Sequence, residues 1–402
     1  MTSQPVKLDS VYCGDSQYVL ADTIQFPDES VDLIYADPPF FSNRHYEVMW
    51  GDGYELRAFE DRWKGGVENY IAWMKPKLRE CHRILKKTGS MYLHCDWHAN
   101  AHLRILMDEL FGENRFLNEI IWYYRGGGVP KNSFAKRHDT IFLYSKDRGW
   151  TFNVDAVRTP YSLESLERLK YTARSFRGKK VYDSYRPNPQ GKHPDDVLEI
   201  QPTMPSSGER LGYPTQKPER LLDVLVKASS DKGNVVLDPF CGCGTSTAVA
   251  QKLGRKWVGI DVSPTACQLI VKRMRSLGAT IKKDDIVGLP KTESQLRAME
   301  PFEFQNWVFQ AIHGRVSARL RGDMGIDGTS FDGTPVQVKQ SESVGRNVVD
   351  NFHASIVRDK KTKGTIVALS FGSGAYEEAA RLKNTGGPEI TLKTLKELLD
   401  EI

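Results

Sequence analysis

One stretch of the sequence restricts the fold more than any other: Val235–Ala250, VVLDPFCGCGTSTAVA. An apolar run ends at Asp238, two glycines follow at alternate positions, and a run suited to a helix begins directly afterwards. Glycines at such a turn let the backbone approach a ligand and leave N–H groups free at the helix start. Asp261 ends the next apolar run, WVGID, where a carboxylate can bind the two hydroxyls of a ribose. We therefore predict a nucleoside-binding unit, although the spacing differs from the G-x-G-x-x-G of dinucleotide sites.

Strand and helix patterns alternate along the first half of the chain. Residues 31–36 predict a strand, residues 68–86 an amphipathic helix interrupted by Pro76, and SMYLHCD the next strand. LNEIIWYY and RHDTIFLYSK predict two further strands. This alternation indicates the α/β class.

The length of 402 residues suggests two or three domains. Residues 151–210 break the alternation with Pro, Ser, Tyr and Arg, which predicts an inserted recognition region. Residues 286–299 are polar and predict a linker, and a new α/β pattern occupies residues 300–402. We therefore expect a large first domain over residues 1–285 and a smaller α/β domain after the linker.

The composition restricts the cellular compartment and the classes of binding partner that we expect. Lys and Arg number 56 against 51 Asp and Glu, and the net charge of +5 permits a nucleic-acid partner without requiring one. The first ten residues are polar, and no apolar run approaches the ~20 residues of a membrane span. The six cysteines follow no disulfide spacing. We expect a cytoplasmic protein without membrane contact, and homodimerisation stays open.

Two short motifs suggest a metal, and for both we favour structural roles. Cys241 and Cys243 lie in the glycine turn without a second Cys or His pair nearby, so we interpret them as small packing residues. His94–His98, HCDWH, lies where a strand ends, and a structural role is more frequent there than a ligand set.

A second acid-ended strand, VDLIYADPPFFS, precedes the glycine motif. DPPF before DPFCGCG, joined by YPTQKPERLLDVLV, resembles the amino-group DNA methyltransferases that use S-adenosylmethionine, in the permuted order called the β group. CGDSQYVLADTIQFPDESVDLIYADPPF, RILKKTGSMYLH and SFAKRHDTIFLYSK match other parts of that family, so the resemblance covers residues 8–285. It implies a Rossmann-like fold and methyl transfer to an exocyclic amine of double-stranded DNA.

The resemblance implies a role for each matching residue. The cofactor residues would be Asp15, Thr215, Lys217, Asp238, Phe240, Gly242, Gly244 and Asp261. Among these, Asp15 would accept from the cofactor's adenine, Asp261 would hold the ribose, and Lys217 would lie near the methionine end. The catalytic residues would be Asp37, Pro38, Pro39 and Phe40. For Phe41 we expect packing only.

The chemistry of these catalytic residues suits an exocyclic amine, whose lone pair is delocalised into the base. Asp37 and the Pro38 carbonyl would accept from the amine, and the proline rings would fix that geometry. Phe40 would stack on a base taken out of the helix. Carbon-5 cytosine methylation needs a nucleophilic cysteine, and the chain has no Pro-Cys pair. Asp37 favours N6 of adenine over N4 of cytosine, which stays open.

The predicted recognition region carries basic and aromatic residues at its centre, which suits contact with phosphates and bases. The residues are Arg168, Lys170, Tyr171, Arg174, Phe176, Arg177, Lys179, Lys180, Tyr182, Tyr185 and Arg186. A solvated basic loop is the alternative.

The last hundred residues contain a second candidate site. Asp327 precedes a hairpin turn at Asp332-Gly333, and Gln337 and Lys339 on the next strand point to one face. With SESVGRNVVDNF and SFGSGAYEEAARL, this pattern resembles the Mrr-like branch of the PD-(D/E)-x-K nucleases. That family implies a Mg²⁺ site, with Lys339 orienting or activating water. The implied ligands are Asp327, Gln337, the Val338 carbonyl and additionally Glu303.

Together the motifs predict a restriction–modification protein, with a methyltransferase that modifies N6 of adenine and a Mg²⁺-dependent endonuclease in one chain. Two alternatives remain open. One is an N4-cytosine methyltransferase whose C-terminal domain only binds DNA, and the other is a methyltransferase that acts on RNA or protein.

Overall fold

The computed structural model describes residues 7–41, 44–49, 55–61, 66–126, 128–168, 187–204, 207–211, 213, 215–282, 285–290, 292–312, 314–316, 325–330 and 332–401. Most residues of the basic and aromatic cluster predicted at the centre of the recognition region, from Lys170 to Arg186, lie outside this part of the chain. The role of this cluster in DNA contact therefore stays a prediction from the sequence.

The first 285 residues contain ten of the described strands, and eight of these form one sheet. The strands are β1 (Ser10–Cys13), β2 (Val31–Ala36), β3 (Arg44–Met49), β4 (Glu55–Asp61), β5 (Leu85–Cys95), β6 (Phe116–Tyr123), β7 (His138–Ser145), β8 (Val197–Glu199), β9 (Val235–Asp238) and β10 (Lys256–Asp261). The sheet order is β1-β10-β9-β2-β5-β7-β6-β8, and β3 and β4 pair only with each other. This antiparallel pair follows DPPF directly and was absent from the sequence-based prediction.

The described helices of this part alternate with these strands or follow the last of them. They are α1 (Ser16–Leu20), α2 (Val67–Ile84), α3 (Asn100–Phe111), α4 (Leu163–Arg168), α5 (Glu219–Ser229), α6 (Thr245–Lys252) and α7 (Pro264–Ser276). The predicted interruption at Pro76 is wrong, because α2 continues through this residue. Met74, Leu78 and Cys81 are fully buried on both sides of the proline, and their packing holds the helix together despite the missing N–H.

Alternate residues of β2 pack into two separate cores, one on each face of the sheet. Leu33 and Tyr35 join a cluster with α5, α6 and α7, whereas Ile34 and Ala36 join a cluster with α2 and α3. Successive side chains of a strand point to opposite faces, so an apolar strand of this kind must be covered twice. The predicted α/β class is confirmed, and the structure adds that the sheet is covered on both faces.

The direction of the strands gathers the candidate residues at one edge. β1, β10, β9, β2 and β5 are parallel, so their carboxyl ends meet on the same side. β7 runs antiparallel to β5 and begins at this edge. Ligands of open α/β sheets bind at such an edge, where connections diverge.

The described parts of the predicted insert and linker carry regular structure. Within 151–210, β8 adds a parallel edge strand to the main sheet beside β6. Within 286–299, the helix α8 (Glu293–Arg297) begins at Thr292 with a reciprocal cap from Gln295, and Leu296 is fully buried. The apolar core of the C-terminal part therefore includes a residue of the predicted linker.

The C-terminal part has its own sheet, with helices on both faces. Its strands are β11 (Arg315–Val316), β12 (Gly328–Thr329), β13 (Pro335–Lys339), β14 (Lys363–Ala368) and β15 (Glu389–Thr394), in spatial order β11-β12-β13-β14-β15. Its other described helices are α9 (Pro301–Ala311), α10 (Arg346–Arg358), α11 (Ser373–Asn384) and α12 (Leu395–Asp400). α9 and α12 pack on one face, and α10 and α11 on the other. The predicted hairpin at Asp332-Gly333 joins β12 and β13, as expected.

Within the described residues, every helix is too short or too polar to cross a membrane.

Candidate active sites

The DPPF segment at the end of β2 carries the first predicted catalytic set. Asp37 forms an ion pair with Lys217, whose Nζ lies 2.8 Å from Oδ1 and 2.6 Å from Oδ2. The same Nζ lies 4.7 Å from the centroid of the Phe40 ring, within the range of a cation–π contact. The Tyr70 hydroxyl on α2 donates a 2.8 Å hydrogen bond to the Pro39 carbonyl. The carboxylate and the proline turn are therefore each held by a residue distant in sequence.

A row of aromatic rings joins DPPF to the glycine motif. Phe41 lies against Tyr70 with centroids 5.7 Å apart, which confirms the packing expected for it. Tyr70 stacks on Trp73 at 6.1 Å, and Trp73 meets Phe240 at 5.9 Å. Such ring pairs pack favourably at these separations.

The glycine turn and Asp261 form a compact hydrogen-bonded unit. Gly242 and Gly244 have φ of +51° and +74°, in the left-handed region that favours glycine. The Gly242 N–H donates to Asp261 Oδ2 at 2.7 Å, and the Ser263 N–H donates to Oδ1 at 2.9 Å. A carboxylate oxygen can accept twice, so Asp261 can still accept from two hydroxyls. Burial raises the pKa of Asp261 to about 6.

Asp238, at the start of the same turn, binds residues on both sides of it. It is buried, accepts a 3.0 Å hydrogen bond from the Phe240 N–H, and also accepts from the Ser246 hydroxyl on α6. Burial raises its pKa to about 7 despite these hydrogen bonds. Asp238 therefore fixes the loop between β9 and α6.

One open cleft of about 980 Å³ unites both motifs. Its walls include the predicted residues Asp15, Asp37, Pro38, Pro39, Phe40, Thr215, Lys217, Asp238, Phe240, Gly242 and Asp261. Gly244, also predicted for the cofactor, begins α6 beside the cleft, and a Cβ there would lie 3.0 Å from Ile270. Acids, glycine backbone and aromatic rings together suit a ligand with a ribose and a flat base.

Lys77 is a cleft residue that the sequence analysis missed. Its side chain is only 2 % exposed, and its Nζ lies 3.0 Å from Asp15 Oδ2 and 4.2 Å from the Trp73 ring. Asp15 Oδ1 in turn accepts from the Gln17 N–H at the start of α1. Burial lowers the pKa of Lys77, although Asp15 opposes this shift. The i, i+4 spacing of Trp73 and Lys77 on the predicted helix was the available signal.

A buried polar network lies behind Asp37. His94 on β5 is fully buried, with Nδ1 2.8 Å from the Tyr35 hydroxyl and Nε2 3.2 Å from Asp139 Oδ2. The Tyr124 hydroxyl donates to the other Asp139 oxygen at 3.2 Å. His94 Nδ1 also lies 3.9 Å from Asp37 Oδ1. The sequence analysis predicted only a structural role for HCDWH and did not foresee that His94 lies near Asp37 of the catalytic segment.

The hairpin of the C-terminal part brings three predicted nuclease residues together. Asp327 lies directly before β12, and its Oδ2 accepts a 2.7 Å hydrogen bond from the Val338 N–H on β13. Gln337 and Lys339 flank Val338 on that strand. Gln337 is buried, and its Oε1 has no hydrogen-bond partner among the described residues. The Asp327 carboxylate and the unpaired amide oxygen of Gln337 therefore both belong to residues next to Val338 in the hairpin.

Glu303, the additional predicted ligand, lies next to the methyltransferase part. It is 7 % exposed, and neither of its carboxylate oxygens has a hydrogen-bond partner in the described part of the chain. Burial and, less strongly, the charge of Asp261 raise its pKa to about 8, although the nearby Ser263 hydroxyl lowers it. Its role as a metal ligand stays a prediction.

No group of three or more His, Cys, Asp and Glu side chains with metal-site geometry occurs among the described residues. Cys241 and Cys243 are buried, and their sulfur atoms lie near the hydroxyls of Thr247 and Thr245. Both cysteines therefore pack inside the turn, as interpreted from the sequence.

Comparison with known proteins assigns a family to each part of the chain. The DNA methylase family of N6 and N4 methyltransferases matches residues 31–272, and a restriction endonuclease family matches residues 296–402. The DNA adenine methyltransferase YhdJ of Escherichia coli K12 is 31% identical over 262 residues, which cover 63% of this chain and 80% of YhdJ. The type II methyltransferase M.HpaI of Haemophilus parainfluenzae is 29% identical, over 62% of this chain and 69% of M.HpaI.

Two solved structures also align with this chain. The cytosine-N4-specific PvuII DNA methyltransferase aligns with a TM-score of 0.46 and 18% identity, over 71% of this chain and 90% of the PvuII chain. A DNA modification methylase from Thermus thermophilus aligns with a TM-score of 0.42 and 21% identity, over 68% and 97% of the two chains.

The fold and the cleft define an S-adenosylmethionine-dependent DNA methyltransferase of the N6 or N4 type. The chain belongs to this DNA methylase family, and its C-terminal part is an Mrr-like restriction endonuclease domain.

Proposed function

We propose that the chain methylates N6 of adenine within a short DNA sequence and that its C-terminal domain cleaves DNA with Mg²⁺. The cleft is the main observation behind the first activity, because it holds the Asp37 carboxylate together with the ribose-type site at Asp261. The identity of 31% to a protein named as a DNA adenine methyltransferase supports adenine as the target.

The residues at DPPF suit an amine nucleophile. Asp37 accepts a hydrogen bond from the adenine N6 amine, and the Pro38 carbonyl accepts from its second N–H, which makes the nitrogen more tetrahedral and more nucleophilic. Lys217 holds the Asp37 carboxylate at 2.6 and 2.8 Å, so little reorganisation is needed when the base arrives. Phe40 provides the stacking face for the base. S-adenosylmethionine supplies the methyl group from its sulfonium sulfur.

The other end of the cleft suits the nucleoside of the methyl donor. Asp261 accepts from the ribose hydroxyls, and Asp15, held by Lys77 at 3.0 Å, accepts from the adenine amine of the donor. Phe240 and Trp73 supply the apolar surface beside it. The two acids and the ring surface together favour adenosine over a smaller ligand.

An exposed loop beside the cleft supports DNA as the substrate. The connection between β6 and β7 begins at the catalytic edge and carries Lys131, Phe134 and Lys136. Phe134 is 97 % exposed, and Lys136 Nζ lies 3.1 Å from the ring centroid of Trp97, which follows β5. Cations next to exposed rings suit a phosphate backbone with accessible bases.

For the second activity, the buried amide oxygen of Gln337 carries the proposal. A polar atom without a partner is costly to bury, and an oxygen-preferring cation would satisfy it. Asp327, Gln337 and the Val338 carbonyl would hold Mg²⁺, and Lys339 would orient or activate the attacking water. These oxygen donors fit a hard cation.

Transfer of a labelled methyl group to duplex DNA tests the first activity. The purified chain should produce N6-methyladenine, measured by mass spectrometry of hydrolysed DNA, and Asp37→Ala should reduce the rate by roughly 10²–10⁴-fold. Asp327→Ala serves as the matched control, since it removes a carboxylate from the other domain. N4-methylcytosine as the product would refute the choice of base, and transfer that survives Asp37→Ala would refute the role of Asp37.

Nicking of supercoiled plasmid tests the second activity. Both methylated and unmethylated plasmid are incubated with Mg²⁺, and Asp327→Ala should abolish nicking. Asp332→Ala is the control, because Asp332 lies in the same hairpin and pairs with Ser330 and Lys363. If neither DNA is ever cut, the proposed endonuclease activity is refuted and the alternative of a domain that only binds DNA is favoured. If only unmethylated DNA is cut, methylation protects the site.

A further inference from the structure

The proposed methyl transfer leaves one proton to be removed, and the structure contains a buried route behind Asp37. When the N–C bond forms and the S–C bond breaks, the positive charge of the sulfonium moves to the amine nitrogen, which then carries one hydrogen too many. Asp37 is the first acceptor in reach. His94 Nδ1 lies 3.9 Å from Asp37 Oδ1, about 1 Å beyond a hydrogen bond.

The partners of His94 determine which of its nitrogens can take a proton. Hydrogen bonds from His94 and Tyr124 hold the pKa of Asp139 below its ordinary value, although its burial opposes this. An ionised carboxylate only accepts, so His94 Nε2 carries the hydrogen that it donates to Asp139. In the neutral imidazole, Nδ1 then carries no hydrogen and accepts from the Tyr35 hydroxyl. The basic nitrogen therefore faces Asp37 and Tyr35.

The surroundings suit an imidazole that becomes charged during the reaction. The Asp139 carboxylate lies 3.2 Å from Nε2 and can neutralise an imidazolium, as in other carboxylate–histidine pairs. The Tyr35 hydroxyl can reverse from donor to acceptor when Nδ1 gains a hydrogen. The Phe40 ring lies 5.5 Å from the imidazole, centroid to centroid, so His94 also supports the face on which the target base would stack.

We propose that His94, oriented by Asp139, is the second acceptor of the proton that leaves the methylated amine, with Asp37 as the first. This inference rests on the proposed methyltransferase function. The proton moves from nitrogen to Asp37 and then to Nδ1, and it returns to solvent after product release. His94 does not touch the base, so it acts through Asp37 as a positioning and proton-accepting residue.

A second histidine provides a matched control within the same stretch. His98 also pairs with an aspartate, since its Nδ1 lies 2.6 Å from Asp96 Oδ2, but its ring stacks on Trp97. His94→Gln and His98→Gln therefore make the same chemical change at two His–Asp pairs four residues apart. Asp139→Asn gives an independent variant that keeps the imidazole in place but removes the neutralising charge.

The test measures single-turnover methyl transfer to duplex DNA, cofactor affinity by calorimetry, and base flipping by fluorescence of 2-aminopurine at the target position. His94→Gln should lower the rate roughly 10²-fold and increase the solvent deuterium isotope effect, with cofactor affinity and flipping within about threefold of the wild type. Asp139→Asn should lower the rate about tenfold or more. His98→Gln should have the wild-type rate and isotope effect.

Several outcomes overturn the inference. A wild-type rate in His94→Gln would do so, and so would a loss that appears only as weaker cofactor or DNA binding, which a structural role explains. If His94→Gln fails to fold by circular dichroism, Asp139→Asn decides, and its full activity refutes the route. The proposed function fails separately, because the wild type would then methylate no DNA or Asp37→Ala would remain active.

Discussion

Replacing Lys217 with Met removes a cation from the cleft while keeping much of its apolar stem. Lys217 Nζ is bound to both oxygens of Asp37, and the two side chains are 7 % and 17 % exposed. After Lys217→Met, the Asp37 carboxylate loses this partner and most of its contact with solvent remains blocked. The variant therefore isolates the cost of a buried charge without a counterion.

The magnitude follows from the burial of the pair. Removing one partner of a buried ion pair costs about 3–5 kcal/mol, and the remaining exposure of Asp37 places this pair at the lower end, about 3 kcal/mol. For a domain of this size, each kcal/mol lowers the melting temperature by roughly 2–4 °C, so a decrease of roughly 6–12 °C is expected. Methyl transfer should fall at least tenfold, because the acceptor carboxylate is no longer held in place.

Thermal unfolding and cofactor binding together decide what Lys217 does. Asp37→Asn combined with Lys217→Met removes both charges and should regain most of the stability lost in Lys217→Met alone. Lys217→Arg keeps the charge but not the geometry, and should lie between the wild type and Lys217→Met. A double variant as unstable as Lys217→Met would refute the ion-pair argument. If Lys217→Met instead lost much cofactor affinity at an unchanged rate, Lys217 would act at the methionine end of the cofactor, as the family resemblance implies.

Three further predictions concern the other acids and amides. Lys77→Met should weaken S-adenosylmethionine binding about tenfold, measured by calorimetry, because Asp15 loses its 3.0 Å partner. Asp261 accepts hydroxyls best when ionised, and burial raises its pKa to about 6. Cofactor affinity should therefore fall as the pH drops through about 6, by up to tenfold per unit, and Asp261→Asn should bind weakly without this dependence. Mg²⁺ should raise the melting temperature of the wild type, and Gln337→Leu should remove this increase with little change in stability without Mg²⁺.

The sequence predicted the features that depend on local order along the chain. Asp37 and Asp238 each end an apolar strand, and parallel strands of one sheet bring such ends together. The glycine turn was recognisable because left-handed backbone at Gly242 and Gly244 favours glycine. Most of the predicted cleft residues therefore line one cleft in the structure.

Features that depend on side chains meeting across the fold were missed. Lys217 pairs with a residue 180 positions away, and the sequence pattern carries no information about which acid its ammonium reaches. His94 appeared structural because the strand that buries it is visible in sequence, whereas its approach to Asp37 depends on the pairing of β5 with β2. The continuous helix through Pro76 has the same origin, since tertiary packing outweighed a local preference.

Glu303 has two candidate roles, as a Mg²⁺ ligand of the C-terminal domain and as a buried packing residue beside the methyltransferase part. On α9 it belongs to the C-terminal part, yet its neighbours are Asp261 and the Ser263 cap of α7. With a pKa of about 8 it is neutral at pH 7, and a neutral carboxyl is compatible with burial but is a weak ligand for Mg²⁺. In the structure this carboxyl is buried near Asp261 and the first turn of α7. The observed packing therefore predicts that Glu303→Gln keeps any Mg²⁺-dependent cleavage, whereas Asp327→Ala loses it, and a loss in both variants would show that α9 must leave α7 before DNA is cut.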